Sequence, residues 1–419
     1  MDIVKYANTF QSSSVLELDA ISRLLNRLGN PQNSLKYIHV AGTNGKGSVC
    51  AFTQAILTHS GLKCGKYTSP FMLCPEERIS IDGKSIKAAE FESLVRQMED
   101  LADGQSQFEL WTAAAFLYFK REKCDIVVLE CGMGGKGDAT NIISAPECAA
   151  ITRIGLDHTT YLGNTIEEIA ENKCGIIKEG TKHVVTVNQP ALSVIRSHAK
   201  GILRVAEPDK THTLSLKGDY QQENAGIAAE ICRALGINEA DIAYGLSHAS
   251  HPGRFERFET TPAILFDGAH NPNGAEALCE SLVKMCKDMQ KVHFICAFMA
   301  DKDVLTVFNV LKKHGFHEKN TMICTSVPDN PRAETPENLA ETAKKAGFRA
   351  TPSPSVFEAL KQTLNCLPPA PNTTVQDTAI SNTSAQNVPA PIGNEIIVVF
   401  GSLYLYKPFR EALSELFNK

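Results

Sequence analysis

Short apolar, β-branched runs alternate with stretches of helical periodicity along most of the chain. YIHVA (37–41), DIVVLE (125–130), CAAIT (148–152) and HVVTV (183–187) are each followed by a loop and then a helix-like segment. Continuous apolar strands separated by helices predict a mostly parallel sheet covered by helices. AILFD (263–267), VHFICA (292–297), TMICTS (321–326) and EIIVVF (395–400) repeat the pattern, so a second α/β unit is expected. The join falls in SHASHPGRFE (247–256), a His, Ser, Pro and Gly stretch, which sets the expected domains at 1–250 and 251–419. Residues 368–394 carry five prolines, one charge and many small polar residues, and read as a flexible surface insertion without catalytic residues.

A chain of 419 residues is longer than one hydrophobic core usually organises, in keeping with two domains. The start, MDIVKYANTF, lacks a basic segment followed by an apolar one, and nowhere do enough apolar residues run together to span a bilayer, so neither secretion nor membrane insertion is expected. The 13 cysteines are odd in number and form no CxxC. Cys64, Cys148, Cys296 and Cys324 fall in apolar runs, where a thiol packs as a small hydrophobe, and a reducing cytoplasm fits best. A net charge of -5 gives no general attraction to nucleic acid or to an anionic membrane. Anionic ligands would need local donors.

YIHVAGTNGKGS supplies such donors. A strand runs into Gly42-Thr43-Asn44-Gly45-Lys46-Gly47-Ser48 and then into the helical pattern VCAFTQAIL. The spacing departs from GxxxxGK[ST], yet the physical parts are present. Glycines let backbone N–H groups turn inward, Lys46 can reach phosphates, and Ser48 can ligate Mg²⁺ beside a helix N-terminus that favours negative charge. A nucleotide-bound Mg²⁺ needs further oxygen ligands, and Glu130 ends the DIVVLE strand where a neighbouring carboxylate is required. The glycine-rich CGMGGKGDATN that follows offers side-chain oxygens from Asp138, Thr140 and Asn141. After the next strand, ITRIGLDHTTYLG presents Asp157 and His158; a solvated or structural histidine is the simpler reading there. Thr165 and Glu168 stand at capping-box spacing at the start of a helix carrying Lys173, which spacing alone makes a surface lysine.

Together AGTNGKGS, TSPFMLCPEERISIDG, ECGMGGKGDATN, ITRIGLDHTTYLGNTIEEIAENKCGIIK, HPGRFE, DGAHNP, DKD and FGSLYL resemble the folylpolyglutamate synthase and dihydrofolate synthase family of the Mur ligase superfamily. The likeness runs from about residue 15 to 410, except in 368–394 and near 200–216, where family members often carry more chain and expected edge strands come into doubt. It implies an N-terminal P-loop ATPase-type domain with a mostly parallel sheet and helices on both faces, and a smaller Rossmann-like C-terminal domain. The implied activity is ATP-dependent amide ligation, in which a folate or dihydropteroate carboxylate becomes an acyl phosphate that the amine of L-glutamate attacks. The implied Mg²⁺ ligands are Ser69, Glu130 and His158, with two metal sites. Lys173 matches a lysine that is carbamylated in this superfamily. Asn224, in a pattern where Tyr220 replaces a frequent His, is implied to meet adenine.

In the second half, Arg254 of PGRFE is a plausible clamp on the transferring phosphate, with a surface arginine as the plainer reading. Asp267 ends a strand, and GAHNP leads Pro272 into a helix at its favoured first position. The resemblance makes Asp267 a nucleotide-side residue, and His270 and Ser402 candidates for the incoming glutamate. Phe71 offers a face for stacking a pterin and Arg78 a cation for a carboxylate, a buried structural Phe being the alternative. Many relatives have His at position 71. The expected partners are therefore small molecules, and a monomer is expected. A UDP-sugar Mur-type ligase is the nearest competitor. The phosphate loop begins about 40 residues in, which leaves no room for a uridine-binding domain ahead of it. A nucleotide switch is the reading from another class; its ATP turnover would ignore both acceptor and amino acid.

Overall fold

The first sheet gathers β1 (Tyr37–Ala41), β2 (Cys64–Tyr67), β3 (Ile79–Ile81), β4 (Lys84–Ser85), β5 (Ile126–Glu130), β6 (Cys148–Ile151), β7 (His183–Val187) and β8 (Ile202–Ala206) in the order β4-β3-β2-β5-β1-β6-β7-β8. The inner pairs are parallel, and only β3 and β4 run antiparallel at one edge. The computed structural model describes residues 17–286, 291–318, 320–367 and 395–417. The 368–394 insertion expected from composition lies outside them. Contacts divide the chain into two units, one taking residues up to Ser215 with Gln221–His251, the other Leu216–Tyr220 with the chain from Pro252 onward.

Strand order fixes where ligands can sit in the first unit. From β1 the chain passes over β5 to reach β2, and from β5 it passes back over β1 to reach β6. Crossovers thus part at β1, and in such sheets the crevice at the strands' carboxyl ends takes the ligand. The strands that adjoin this point are buried throughout, as continuous apolar runs require. One face packs the helix Gln107–Arg121, with Trp111, Phe116 and Phe119, onto Tyr37, Tyr67, Val127 and Leu129, and the helix Ile166–Cys174 onto Ala149 and Ile151. The opposite face carries the helix Lys46–His59, which the helix Glu239–His248 covers. The doubted edge strand is present as β8, paired parallel to β7.

Those last two helices come within van der Waals reach of each other's backbone at Gly245. A Cβ on Gly245 would lie 2.5 Å from both the Cα and the backbone N of Ile56. Gly245→Ala therefore has to push apart the helix that begins at the phosphate loop, and we expect a loss of about 2 kcal/mol in urea unfolding. An unchanged midpoint would mean that the helices separate without penalty.

The second unit is a smaller sheet of β9 (Glu256–Phe258), β10 (Ala263–Asp267), β11 (Lys291–Cys296), β12 (Thr321–Cys324), β13 (Arg349–Pro352) and β14 (Glu395–Phe400). Its order is β13-β12-β11-β14-β10-β9, parallel except for β9. Leu265, Phe294, Cys296, Val398 and Phe400 form its core with Leu278, Phe308 and Leu339 from helices Pro272–Met285, Val304–Lys313 and Pro336–Lys345. Pro272 stands at the first helical position, capped by Asn271. The cysteines are free throughout, most of them buried in these cores.

Candidate active site

The phosphate loop leaves β1 and turns into the helix at Lys46. Gly45, the residue before it, holds φ +91°, which an L side chain rarely adopts, and no side chain caps the helix. First-turn N–H groups have no partner within a helix, so those of Lys46, Gly47 and Ser48 are the donors aimed out of its end. The loop's earlier amides are used differently from the sequence expectation. Thr43 and Asn44 N–H donate to Arg153 O at 2.9 and 3.2 Å, and the Thr152 hydroxyl donates to Asn44 O at 2.7 Å. Three residues just past β6, Thr152, Arg153 and Gly155, thus hold the loop, with Thr43 Oγ1 donating to Gly155 O at 3.0 Å.

Side chains close in where the glycines leave space. A Cβ on Gly42 would overlap the Thr152 hydroxyl, one on Gly45 the Asn224 amide, and one on Gly47 the His251 ring. Asn224 Nδ2 donates to Gln221 Oε1 at 2.9 Å, and Gln221 Nε2 donates to Ser48 Oγ at 3.2 Å. Asn224 thus stands at the phosphate loop itself. Lys46 folds back, its Nζ donating to Gly42 O at 3.1 Å and Thr43 O at 3.3 Å.

Glu130 ends β5, the strand beside β1, and is 3% exposed. Its Oε2 accepts the Ser69 N–H at 3.1 Å, which brings the TSPF turn after β2 to the same end of the sheet. His158 follows β6, on the other side of β1, with a left-handed backbone (φ +51°) and its N–H donated to Asp157 Oδ1 at 2.9 Å. Ser69, Glu130, the phosphate loop and His158 therefore follow four adjacent parallel strands, β2, β5, β1 and β6. Among the described residues no three His, Cys, Asp or Glu side chains cluster to hold a metal by themselves.

Lys173 corrects the expectation from spacing. It is 4% exposed, and its Nζ donates to Gly42 O at 2.8 Å, so it shares that carbonyl with Lys46. The Thr165–Glu168 capping box starts its helix, and Gly135 and Gly175 allow the glycine-rich loop to pack backbone to backbone on the helix end. Burial foremost, and then the Lys46 cation, push the Lys173 ammonium down to about 7. The amine is therefore largely neutral just above neutral pH.

The side-chain oxygens of the glycine-rich loop are mostly spent inside it. Asp138 accepts from Met133 N and Thr140 N at 2.8 and 3.0 Å, and Thr140 Oγ1 meets His39 Nε2 at 2.9 Å. Burial and the Lys178 cation push His39 down to about 3, so it stays neutral within β1. Asn141 Nδ2 donates to Lys136 O and Gly175 O. These residues shape the loop.

Arg78 is 8% exposed rather than an open cation. Its guanidinium carbon lies 4.8 Å from the Trp111 ring centroid, 5.6 Å from Phe71 and 5.9 Å from Phe108. Arg78 Nε and Nη1 and Trp111 Nε1 have no acceptor among the described residues. Buried donors without acceptors are expensive, and three of them gather around one aromatic cage. Nothing in the sequence pattern singled out Trp111.

In the second unit, Asp267 is fully engaged. Oδ1 accepts Ala269 N–H at 2.8 Å, and Oδ2 accepts Phe255 N–H at 2.8 Å and the Tyr220 hydroxyl at 2.7 Å. Burial pushes its carboxyl up, opposed by the Tyr220 bond, the Arg254 cation and the two amides. Arg254 lies over the next residue, its Nη1 3.0 Å from where a Gly268 Cβ would stand. His270 Nδ1 bonds Gly268 O at 2.8 Å. Ser402 is buried, its Oγ accepting the Tyr404 N–H at 3.3 Å at the start of a short helical turn.

Residues 40–242 match the model of the Mur ligase middle domain, and 253–375 that of the Mur ligase glutamate ligase domain. A dihydrofolate synthase/folylpolyglutamate synthase of Bacillus subtilis is 33% identical, with 94% of each chain covered. The chain belongs to the folylpolyglutamate synthase/dihydrofolate synthase family of Mur ligases. Folylpolyglutamate synthase of Mycobacterium tuberculosis, solved with ADP and AMPPCP, is similar at a TM-score of 0.84 and 28% identity, covering 100% of this chain and 98% of that one. The bifunctional folylpolyglutamate synthase/dihydrofolate synthase of Yersinia pestis, solved with AMPPNP and Mn, gives 0.79 and 26%, covering 99% and 97%. The chain thus has the two-domain α/β fold that the sequence pattern implied.

Proposed function

We propose that the chain adds L-glutamate to a folate at the expense of ATP, releasing ADP and phosphate, with residues 1–250 as the ATP-binding domain and 251–419 as the glutamate-ligase domain. One observation carries the reading: a helix N-terminus with uncapped amides, two lysines on one carbonyl and a buried carboxylate meet at the strand ends where an anion is favoured. The folate carboxylate attacks the γ-phosphorus of ATP, ADP leaves, and an acyl phosphate results. The glutamate amine then attacks the acyl carbon, phosphate leaves with the electron pair of the C–O bond, and the amine loses a proton. Two anions must approach in the first step, so charge neutralisation and fixed geometry supply most of the catalysis.

The residues fit that demand. Lys46 and the first-turn amides neutralise the phosphates. Ser69, Glu130 and His158 offer two oxygen donors and an imidazole at adjacent strand ends, and would hold a nucleotide-bound Mg²⁺. A carbamate on Lys173 would add oxygens for a second Mg²⁺: the neutral amine attacks CO₂ and releases a proton, which requires the depressed pKa. Bound there, Mg²⁺ supplies positive charge to the phosphate oxygens. Arg254, Asp267 and Asn224 serve the nucleotide, Asp267 by fixing the loop that carries Arg254. His270 and Ser402 serve the incoming glutamate. The Arg78, Phe71 and Trp111 cage takes the folate, its orphaned N–H groups meeting acceptor oxygens.

The family placement favours a folate over a UDP-sugar as acceptor, since the relatives of nearly full coverage carry folate names. No helix among the described residues is long and apolar enough to cross a membrane. A cytoplasmic monomer completes the reading. Purified protein given ATP, Mg²⁺ and glutamate with tetrahydrofolate or dihydropteroate separately should yield products heavier by one glutamyl residue; no such product with either acceptor overturns the assignment. Product masses also decide whether both acceptors serve. Glu130→Gln should raise the Mg²⁺ concentration needed for half-maximal turnover by about ten- to a hundredfold with the chain still folded. An unshifted Mg²⁺ dependence removes Glu130 from the metal site.

A further inference from the structure

Tyr220 belongs to the second unit and begins the helix Tyr220–Ala234. Its hydroxyl bonds the same Asp267 oxygen that takes the Phe255 amide. The loop between β9 and the domain join is held at every residue around Arg254: Gly253 N–H donates to Glu256 Oε2 at 2.7 Å, Gly253 O accepts Gly268 N–H at 3.1 Å, and Phe255 holds a left-handed φ of +46°. Such a backbone costs about 1–3 kcal/mol in a residue with a side chain and persists only where its surroundings impose it. Asp267 imposes it by accepting the Phe255 N–H.

That arrangement creates a competition. Arg254 lies close enough to Asp267 to favour its ionised form, yet no ion pair joins them among the described residues. A buried carboxylate beside a guanidinium is ordinarily captured by it in a bidentate pair. Here both lone pairs of Oδ2 are taken, by the Phe255 amide and the Tyr220 phenol, and Oδ1 takes the Ala269 amide, so a fork across the two oxygens is blocked. Burial and the carboxylate together push the Tyr220 phenol well above its ordinary range, so it remains a proton donor at any working pH.

We propose that Tyr220 is a positioning residue for Arg254: by occupying Asp267 it keeps the guanidinium from folding onto that carboxylate and leaves its charge available to a phosphate. The proposal rests on the reading of Arg254 as a phosphate-binding group. Without the hydroxyl, Asp267 turns its vacated lone pair to Arg254, and the cation is neutralised where it stands.

The test is a double-mutant cycle on the full chain, read as affinity for AMPPNP with Mg²⁺. Tyr220→Phe keeps the ring and should weaken binding about tenfold, whereas in an Arg254→Ala background the same change should matter less than about twofold. Tyr220→His restores an N–H donor and should recover most of the affinity. Equal losses with and without Arg254, or no loss on Tyr220→Phe, overturn the proposal. An Arg254→Ala chain with unaltered affinity removes the phosphate role itself, and the proposal with it; a weakened Arg254→Ala chain with an additive Tyr220→Phe loss leaves the phosphate role standing and removes only the positioning.

Discussion

Lys46→Ala lowers ligation by about 10²–10³-fold, the largest single effect expected in the molecule, because one preorganised cation at a developing charge contributes on that scale. Lys46 contributes in two ways. Its ammonium is the phosphate loop's own positive charge, and in the structure it braces the loop by bonding the carbonyls of Gly42 and Thr43. The two contributions separate by measurement. Loss of bracing would lower the thermal midpoint, while loss of charge would lower kcat with the fold intact. Lys46→Arg keeps the charge but replaces a compact point donor with a planar fork, and we expect it to rescue poorly. Wild-type turnover in Lys46→Ala would remove the loop from the reaction.

Lys173→Ala should lower kcat/KM by about a hundredfold, as loss of a group supporting a metal typically does, with partial recovery in a short-chain carboxylic acid. The recovery follows from chemistry. A free carboxylate can supply the oxygens a carbamate would have supplied, in the space the lysine leaves. The pH dependence follows from the direction of the shift. Lys173 is pushed down to about 7, so the amine is neutral above that pH and protonated below it. Carbamate formation needs the neutral amine, and activity in limiting CO₂ should therefore fall as pH drops through 7 and return on adding bicarbonate. A CO₂-insensitive enzyme, or full activity in the unrescued variant, contradicts this role.

Much of the fold was legible because the strands next to the switch point are buried on both faces. Tyr37–Ala41, Ile126–Glu130 and Cys148–Ile151 are buried throughout and mostly apolar, and such runs stand out in a sequence. Edge strands do not. Lys84–Ser85 is exposed at both residues, and Ile202–Ala206 mixes Arg204 with partly exposed aliphatics, so neither gives a run or a clean alternation. The same distinction applies to the site. Phosphate loop, strand-end carboxylate and capping box are local patterns whose chemistry can be read from spacing. Lys173 meeting Gly42 joins residues 131 apart in sequence, and Gln221 meeting Ser48 joins residues 173 apart. No local pattern encodes those pairings. Only burial in the folded chain pulls the Lys173 amine down toward neutrality, or fills the space beside Gly45 with Asn224.

The account's central claim is that ATP is consumed to activate a folate carboxylate as an acyl phosphate. Turnover with a folate whose reacting carboxylate is labelled with heavy oxygen tests it directly, read by mass spectrometry of the phosphate released. The account predicts one labelled oxygen in each phosphate, carried over when the glutamate amine displaces it. Phosphate released without label, while ADP and the glutamylated product still form, would contradict it.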